Sequence, residues 1–335
     1  QVELVKKGEF EDWLIPAIVT DFKKSQKAML ESNGARVSIM RNAFLAYQDW
    51  DYTVDDIARM EKLTKQDIVD AVNRYFDDNY VAGYRVDEQH EVPSIEKPKI
   101  DKIAIDPARQ STFAAKVLAM PVKEIEPVFV VPDKDYQNTN YHDGVKLYYS
   151  KNPINDLFAF TISIELGRRH DNKLAIAAQL LDKSGTSQYS PEALKKEWYK
   201  LGTDLGISVG DDETTISLSG LDENFGPSLA LLMELLNNPT ADAATLDELV
   251  KIILVNREDA KKNFNAIRSA LVQYNRYGKD SYYLNVLPGE AVKKLTVEEL
   301  HAEIKQLLNY KHTISYTGSL SLDEMLVTLK KHHPI

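Results

Sequence analysis

The sequence has no cysteine, which excludes disulfides, thiolate-ligated metal sites and a cysteine nucleophile. It also has no run of about 18 apolar residues, so we expect no membrane-spanning segment. Positive charge is in deficit, because 41 lysines and arginines stand against 51 acidic residues and give a net charge of −10. A nucleic-acid-binding protein needs a basic face. The sequence therefore predicts no nucleic-acid partner.

Several common site motifs are also missing. The sequence contains neither Gly-x-Gly-x-x-Gly nor Gly-x-x-x-x-Gly-Lys, so nothing indicates a nucleotide site. Ser184, Ser187 and Ser190 lie close together, but no Gly-x-Ser-x-Gly elbow accompanies them, and we do not expect a serine hydrolase. The tyrosines between 274 and 283 could face a peptide, although packing at a helix end is the favoured interpretation.

The histidines give little indication of a metal site. The seven are His90, His142, His170, His301, His312, His332 and His333, and no His-x-x-x-His pair occurs among them. Glu298 and His301 have the spacing of two ligands on one helix, but such a pair needs partners from other helices. A structural or solvent-facing His301 is favoured. His170 could help to hold an anion, although a solvated helix start is favoured, and we expect no ordered metal site at His332 and His333.

A local pattern occurs twice. Residues 63–68 (LTKQDI) open a helical pattern that leads to an extended segment ending at Tyr84, and residues 295–300 (LTVEEL) open a similar one that ends at Tyr316. In each copy a threonine is followed three residues later by an acid, which is close to the capping-box spacing at a helix start. The shared cap, apolar stripe and extended segment predict duplicated domains.

The first part of the chain is predicted to be mostly helical, with one strand at 81–86. One strand cannot form a sheet, so we expect residues 1–90 to end a domain whose earlier strands lie outside this sequence, and the sequence to be a fragment of a longer protein. Residues 91–125 contain prolines and many charges and predict a linker, with a short helix at 113–120.

Residues 126–335 have the pattern of a complete domain. Apolar alternation predicts strands at 128–131, 145–149, 158–164, 205–209, 216–218 and before Tyr316; helical periodicity predicts helices at 174–182, 191–201, 246 to about 274 and after Thr296. The fold class predicted is α+β, a two-layer sandwich of mostly antiparallel sheet packed against helices.

Residues 176–186 (IAAQLLDKSGT) resemble the zinc-binding helix of the pitrilysin- or insulinase-like (M16) zinc metallopeptidases, in which His-x-x-Glu-His precedes a Gly-Thr pair. Aligned on that pair, Ile176 and Leu180 stand at the histidine positions and Gln179 at the glutamate position. Apolar side chains offer zinc no lone pair, and an amide cannot accept a proton from a zinc-bound water at neutral pH. We expect all three residues to lie on a buried apolar face.

The resemblance extends to residues 189–202, which match the family in order, and it implies a fold like that of LuxS- and mitochondrial processing peptidase-like metallohydrolases. Residues 1–90 would be the C-terminal part of a preceding peptidase-type domain, 91–125 a linker, and 126–335 an inactive M16-type domain. Glu258 falls near the third zinc ligand of the family. It is either a remnant of that ligand or a solvated helix residue.

The resemblance implies that this segment is catalytically inactive alone, with no cofactor of its own. It would form one wall of a peptide-binding chamber and support the active half of a zinc protease, whose zinc and peptide hydrolysis belong to an N-terminal domain outside this sequence. The implied partners are the remaining domains of the polypeptide and a peptide substrate. The alternatives are a non-catalytic scaffold or assembly subunit, and an enzyme with an unrecognised cluster of perturbed acids. We expect a periplasmic or extracellular location.

Overall fold

The computed structural model describes residues 1–87, 94–104 and 106–333. His90 and residues 91–93 and 105 of the predicted linker lie outside the described residues. The chain divides into two compact units, of which one comprises Gln1–Asn73 with Val131–Ile335 and the other Arg74–Val130. The domain boundaries predicted at 90 and 125 stay predictions.

Most of the first 75 residues are helical, as the sequence predicts. The helices are α1 (Val2–Lys6), α2 (Leu14–Met29), α3 (Asn33–Leu45), α4 (Trp50–Val54), α5 (Asp56–Met60) and α6 (Lys65–Tyr75). The predicted capping box precedes α6: the Thr64 backbone N–H donates to the Asp67 carboxylate at 2.8 Å, and the Asp67 N–H donates to the Thr64 hydroxyl at 3.2 Å. The Thr64 hydroxyl also donates to the Asp67 carboxylate at 2.5 Å, and this hydrogen bond, together with the one from the Thr64 N–H, lowers the pKa of the Asp67 carboxyl.

The unit Arg74–Val130 contains the short helix predicted near 113–120, which is α7 (Thr112–Leu118). The strands predicted at 81–86 and 128–131 are wrong, because neither segment is part of a strand. A strand needs a neighbour for its backbone N–H and C=O groups. Residues 81–86 are exposed and pair with no described strand, so their apolar alternation has no sheet to join.

A six-stranded sheet forms the centre of the larger unit. The strands of the chain are β1 (Gln137–His142), β2 (Val145–Lys151), β3 (Leu157–Ile164), β4 (Gly185–Thr186), β5 (Asp204–Val209), β6 (Thr214–Leu221), β7 (Pro239–Thr240) and β8 (His312–Gly318). The sheet order is β1-β2-β8-β3-β6-β5, and β4 pairs with β7 separately. Only the β2–β8 pair is parallel within this sheet. The mostly antiparallel sheet is therefore confirmed, and β1 is an edge strand that the sequence did not predict.

The remaining helices of the described residues follow β3 along the chain. They are α8 (Leu174–Leu181), α9 (Pro191–Leu201), α10 (Phe225–Asn237), α11 (Ala243–Ala260), α12 (Phe264–Tyr277), α13 (Gly289–Val292), α14 (Val297–Gln306) and α15 (Leu322–His332). α9 has the predicted ends, since the Ser190 hydroxyl accepts the Ala193 N–H and Gly202 ends the helix with a φ of 58°.

The continuous helix predicted from 246 to about 274 is wrong, because α11 ends at Ala260 and α12 begins at Phe264. The Asn263 side chain accepts the Ala266 N–H at 3.1 Å and caps the new helix. A polar Lys261-Lys262-Asn263 segment thus separates two helices, and α15 is a further helix that the sequence did not predict.

The core lies between the sheet and the helices. The Phe225 ring of α10 packs against three aromatic rings of the sheet, with centroid distances of 5.1 Å to Phe158, 5.5 Å to Phe160 and 5.0 Å to Tyr316. The buried Tyr316 hydroxyl donates to the Asp222 carboxylate at 2.6 Å. This arrangement confirms the α+β sandwich. None of the helices in the described parts of the chain is long and apolar enough to cross a membrane.

Candidate functional site

α8 carries the three positions at which the zinc motif is missing. Ile176 and Leu180 are one helical turn apart and face the core, with 4% and 0% of their surface exposed. Gln179 is exposed. The expectation of a buried face is therefore correct for the two apolar residues and wrong for Gln179, because the residue before Leu180 lies about 100° around the helix from it.

These side chains do not fit a zinc ion. Ile176 and Leu180 have no donor atom, and the Gln179 amide points away from the face that the other two share. Among the residues that the structure describes, no group of three or more His, Asp or Glu side chains is placed to hold a metal. The helix now supplies apolar surface to the core.

The Gly-Thr pair after α8 has a structural explanation. The Thr186 N–H donates to the Tyr189 carbonyl at 2.8 Å, and the Thr186 hydroxyl accepts the N–H groups of Gln188 and Tyr189 at 3.1 Å each. A Cβ atom at Gly185 would collide with the Tyr189 carbonyl oxygen. Glycine is required by this close approach, so the pair can persist without a metal.

Glu258 lies on α11 with its side chain exposed. The Lys261 ammonium donates to its carboxylate at 2.6 Å, and this hydrogen bond lowers the pKa of Glu258. Its neighbours Asn256 and Arg257 line a cavity beside α8, whereas Glu258 does not. The interpretation of Glu258 as a ligand remnant stays a prediction.

Two depressions meet at α8. The first, here called the β5 groove, has a volume of about 630 Å³ and lies between α8 and β5. The second, here called the α8–α12 cavity, has a volume of about 810 Å³ and is bounded by α8, α11, α12 and residues 281–287. Arg168, Ala175 and Gln179 line both. The surface beside α8 is therefore concave.

The β5 groove contains an unpaired strand edge. β5 is the last strand of the sheet and pairs only with β6 among the described strands. The Gly210 N–H donates to the Glu213 carbonyl at 2.7 Å, and antiparallel bonding alternates along the ladder. Gly206 and Ser208 therefore face β6, while the backbone groups of Leu205 and Ile207 face outward. Such an edge can bind an extended peptide.

Arg168 closes one end of this edge. Its guanidinium donates to the Val209 carbonyl at 2.9 Å and to the Gly210 carbonyl at 3.3 Å. It also pairs with Asp211 at 3.3 Å. The free part of the edge is consequently limited to the first half of β5.

The α8–α12 cavity combines apolar walls with basic side chains. Ile176, Ile253 and Leu271 are among the apolar residues that line it, and Arg168, Arg257 and Lys261 are the charged ones. The Arg257 guanidinium donates to the Leu287 carbonyl at 2.7 Å. Ser281 also lines the cavity, with 0% of its surface exposed and no hydrogen-bond partner for its hydroxyl within the described residues.

Three histidines have structural roles. The His301 ring is buried with Nε2 3.2 Å from the Ser184 hydroxyl, and burial lowers its pKa. His170 Nδ1 accepts the Gly167 N–H at 3.2 Å and closes the turn before α8. His333 is also buried, with Nε2 3.2 Å from Nε2 of His312 at the start of β8.

The comparisons with known proteins agree with this geometry. No protein-family model matches the chain. A protein of Schizosaccharomyces pombe described as a probable mitochondrial-processing peptidase subunit beta is 22% identical over 204 residues, which cover 58% of this chain and 44% of that protein. The inactive domain of an M16 peptidase from Pseudomonas fluorescens superposes with a TM-score of 0.51 at 19% identity, covering 58% of this chain and 49% of that one. The chain is related to the M16 peptidases.

A further comparison covers almost the whole chain. The periplasmic protease PqqL of Escherichia coli superposes with a TM-score of 0.52 at 12% identity, covering 99% of this chain and 40% of that one. The chain spans less than half the length of each of these three proteins. Likeness to an inactive M16 domain, together with the donor-free face of α8, supports a non-catalytic M16-like domain.

Sequence reasoning missed Arg257, Ser281 and the free edge of β5. The M16 alignment pointed to Glu258 on α11, which is the neighbour of Arg257 and does not line the cavity. The tyrosine-rich segment was a usable signal, because Tyr274 and Tyr283 also line the cavity. Tyr282 stacks on Tyr283 at a centroid distance of 4.3 Å, and a hydrogen bond with Tyr283 together with burial raises the pKa of Tyr282 to about 12.

Proposed function

We propose that this chain is the non-catalytic part of a longer M16-type zinc protease and forms one wall of its peptide-binding chamber. The observation that carries this proposal is the free edge of β5, which lies in a groove beside the helix that has lost the zinc motif. An extended peptide can add to such an edge through backbone hydrogen bonds, with its side chains in the groove. Zinc and hydrolysis would belong to residues outside this sequence.

The first helices support a partnership with further domains of the same polypeptide. Val37, Met40 and Phe44 follow the helical spacing on α3, and all three are exposed, with 78% of the Phe44 surface accessible. Soluble proteins rarely leave such a contiguous apolar stripe uncovered. We propose that another part of the full protein packs on α3.

The location is proposed from the relatives. The structural neighbour PqqL is described as a periplasmic protease, which favours a periplasmic or extracellular site for this chain. Fractionation of cells that produce the full-length protein, with a periplasmic and a cytoplasmic marker enzyme as references, measures this directly. Recovery with the cytoplasmic marker would contradict the proposal.

Amide hydrogen exchange of the 335-residue chain tests the peptide-binding wall. An excess of an unstructured twelve-residue peptide should slow exchange at the outward-facing amides of Leu205 and Ile207. The amides of Gly206 and Ser208 are the internal control, because they already donate to β6. Unchanged exchange at all four amides would contradict peptide pairing.

The same samples test the absence of catalysis. With added Zn²⁺ the peptide should stay intact, because neither Ile176 nor Leu180 offers a ligand. Peptide cleavage by the chain alone would overturn the non-catalytic assignment. If β5 takes no peptide while the full protein assembles with another chain, the scaffold alternative replaces the chamber wall.

A further inference from the structure

The charge of the α8–α12 cavity selects for an anion. Its charged lining residues are all basic, although the chain as a whole carries a net charge of −10. Lys261 pairs with Glu258 and Arg168 with Asp211, whereas Arg257 forms no ion pair with any described carboxylate. A half-buried guanidinium has five N–H donors, of which one contacts the Leu287 carbonyl. The remaining donors suit a bidentate carboxylate.

Ser281 gives a second and independent indication of a ligand. Ser281 belongs to the wall of the cavity, its side chain is completely buried, and its hydroxyl has no hydrogen-bond partner in the described part of the chain. Buried polar groups are almost always paired in folded proteins, because an unpaired one costs free energy. A hydroxyl can donate to a carboxylate or accept an amide N–H. The wall of the cavity therefore contains a polar group without a partner, which a ligand could pair only after a small shift of the Ser281 side chain.

The apolar walls of the α8–α12 cavity favour a ligand with an apolar group. Ile176, Ile253 and Leu287 contribute apolar surface, and Leu271 and Leu284 are exposed at the margin. The volume of about 810 Å³ lies within the range of about 300–1,000 Å³ that is typical of small-ligand sites. The basic and apolar lining residues together therefore favour a ligand in which a carboxylate is attached to an apolar group.

We infer that the α8–α12 cavity binds the C-terminal end of a peptide, with the terminal carboxylate on Arg257 and a large apolar last side chain between α8 and α12. The inference rests on the proposed peptide-binding role and assigns it a substrate class. The cavity and the β5 groove share Arg168, Ala175 and Gln179, so a peptide paired with β5 can continue into the cavity.

A peptide fits this lining better than a fatty acid. The amide side chains of Asn172, Gln179 and Asn256 line the cavity together with the apolar residues. Each amide offers both donors and an acceptor, which match the N–H and C=O groups of a peptide backbone. An alkyl chain would leave them without partners at a cost in free energy.

The test uses an octapeptide that carries fluorescein at its N-terminus and ends in Leu-Phe, prepared as the free acid and as the C-terminal amide. Fluorescence anisotropy with the 335-residue chain should give an affinity at least about tenfold higher for the free acid, since a charge-assisted pair is lost in the amide. Arg257→Gln should make the two forms bind alike. Arg268→Gln is the matched control, because Arg268 is exposed on α12 and does not line the cavity.

Ser281→Ala separates a ligand contact from a structural role. The hydroxyl has no partner to lose in the free chain, so thermal stability should be unchanged or higher, while affinity for the free-acid peptide falls several-fold. A fall in thermal stability without a change in affinity would overturn the role of Ser281. Arg257→Lys keeps the positive charge but lacks the planar guanidinium, so it should retain part of the preference for the free acid. This variant also provides a check in case Arg257→Gln fails to fold.

The outcomes distinguish this inference from the proposed function. Equal binding of the acid and the amide by the unmodified chain would overturn C-terminal recognition and leave peptide binding in place. Binding of neither form would contradict both. Thermal stabilisation of the chain by sodium dodecanoate, with no binding of either peptide, would assign the cavity to a fatty acid and overturn the inference.

Discussion

The two copies of the capped-helix pattern begin alike and end in different structures. The first copy forms α6, which has no buried residue, and its Tyr84 lies outside any strand with 88% of its surface exposed. The second copy forms α14, which buries Leu300, His301 and Ile304. It continues into β8, where 1% of the Tyr316 surface is exposed.

The difference separates local from non-local determinants. The threonine cap forms in both copies, because its hydrogen bonds join residues three positions apart. A strand forms only in the second copy, where β8 lies between β2 and β3 and both of its edges are paired. A similar alternation of residues thus gives a central strand in one copy and exposed coil in the other, according to whether partner strands are present.

Removing the tyrosine ring at the end of the second copy should destabilise the chain most, whereas removing the one in the first copy should have almost no effect. Tyr316→Ala should lower the free energy of unfolding by about 3–5 kcal/mol, because a fully buried aromatic ring between the sheet and α10 is lost. Tyr84→Ala should change it by less than about 0.5 kcal/mol, since that ring is exposed. Urea unfolding followed by circular dichroism measures both. Equal losses would mean that the two copies are packed alike.

Acid should weaken the second copy through His333, whose ring follows α15 and contacts His312 at the start of β8. Burial, with a smaller contribution from His312, lowers the pKa of His333 to about 4, so the folded chain holds this ring neutral. The unfolded chain binds the proton with a pKa of about 6.5. The contribution of the neutral His333 ring to the free energy of unfolding is therefore fully present above about pH 6.5. It is lost as the pH drops toward 4, by about 3 kcal/mol at most.

Replacing His333 by phenylalanine should remove most of that pH dependence, because no proton uptake on unfolding remains at this position. His142→Phe is the control, since His142 is exposed and should leave the profile unchanged. Urea unfolding at a series of pH values from 7 to 4 gives the comparison. An identical slope in the unmodified chain and His333→Phe would show that other groups cause the acid sensitivity.

A smaller change isolates the hydroxyl of Tyr316 from its ring. Tyr316→Phe should cost about 2 kcal/mol, because the buried Asp222 carboxylate loses a charge-assisted hydrogen bond of 2.6 Å and keeps the one from the Ser319 N–H. Tyr84→Phe is the matched change in the first copy and should have no measurable effect. A neutral Tyr316→Phe would mean that water replaces the hydroxyl.

Features fixed by neighbouring residues were predictable from the sequence. The start of α9 at Ser190 and Pro191 and its end at Gly202 follow from residues within one turn of each helix end. The break before Asn263 had the same kind of signal, a capping residue before an apolar one, and the long helix prediction overlooked it. Local chemistry was sufficient in both places.

Features that depend on distant residues were not predictable in this way. The sequence does not reveal whether residues 81–86 have a partner strand, and their prediction as a strand was wrong. At the candidate site, the M16 resemblance located Ile176 and Leu180, but the free edge of β5 depends on the strand order. The missing partner of Ser281 likewise depends on side chains from several helices.

Removing the threonine caps should have the smallest effect, of similar size in the two copies and somewhat larger at Thr64, whose hydroxyl also donates to Asp67. Thr64→Ala and Thr296→Ala each remove a hydroxyl that accepts an N–H three residues ahead at 3.2 Å, which should cost about 1 kcal/mol at each helix start. Amide exchange in the first turn of α6 and of α14 measures this locally, whatever the stability of the rest of the chain. Serine at either position should restore protection. If only Thr296→Ala accelerates exchange, the cap of α6 depends on packing as well, and the division between local caps and non-local strands is too sharp.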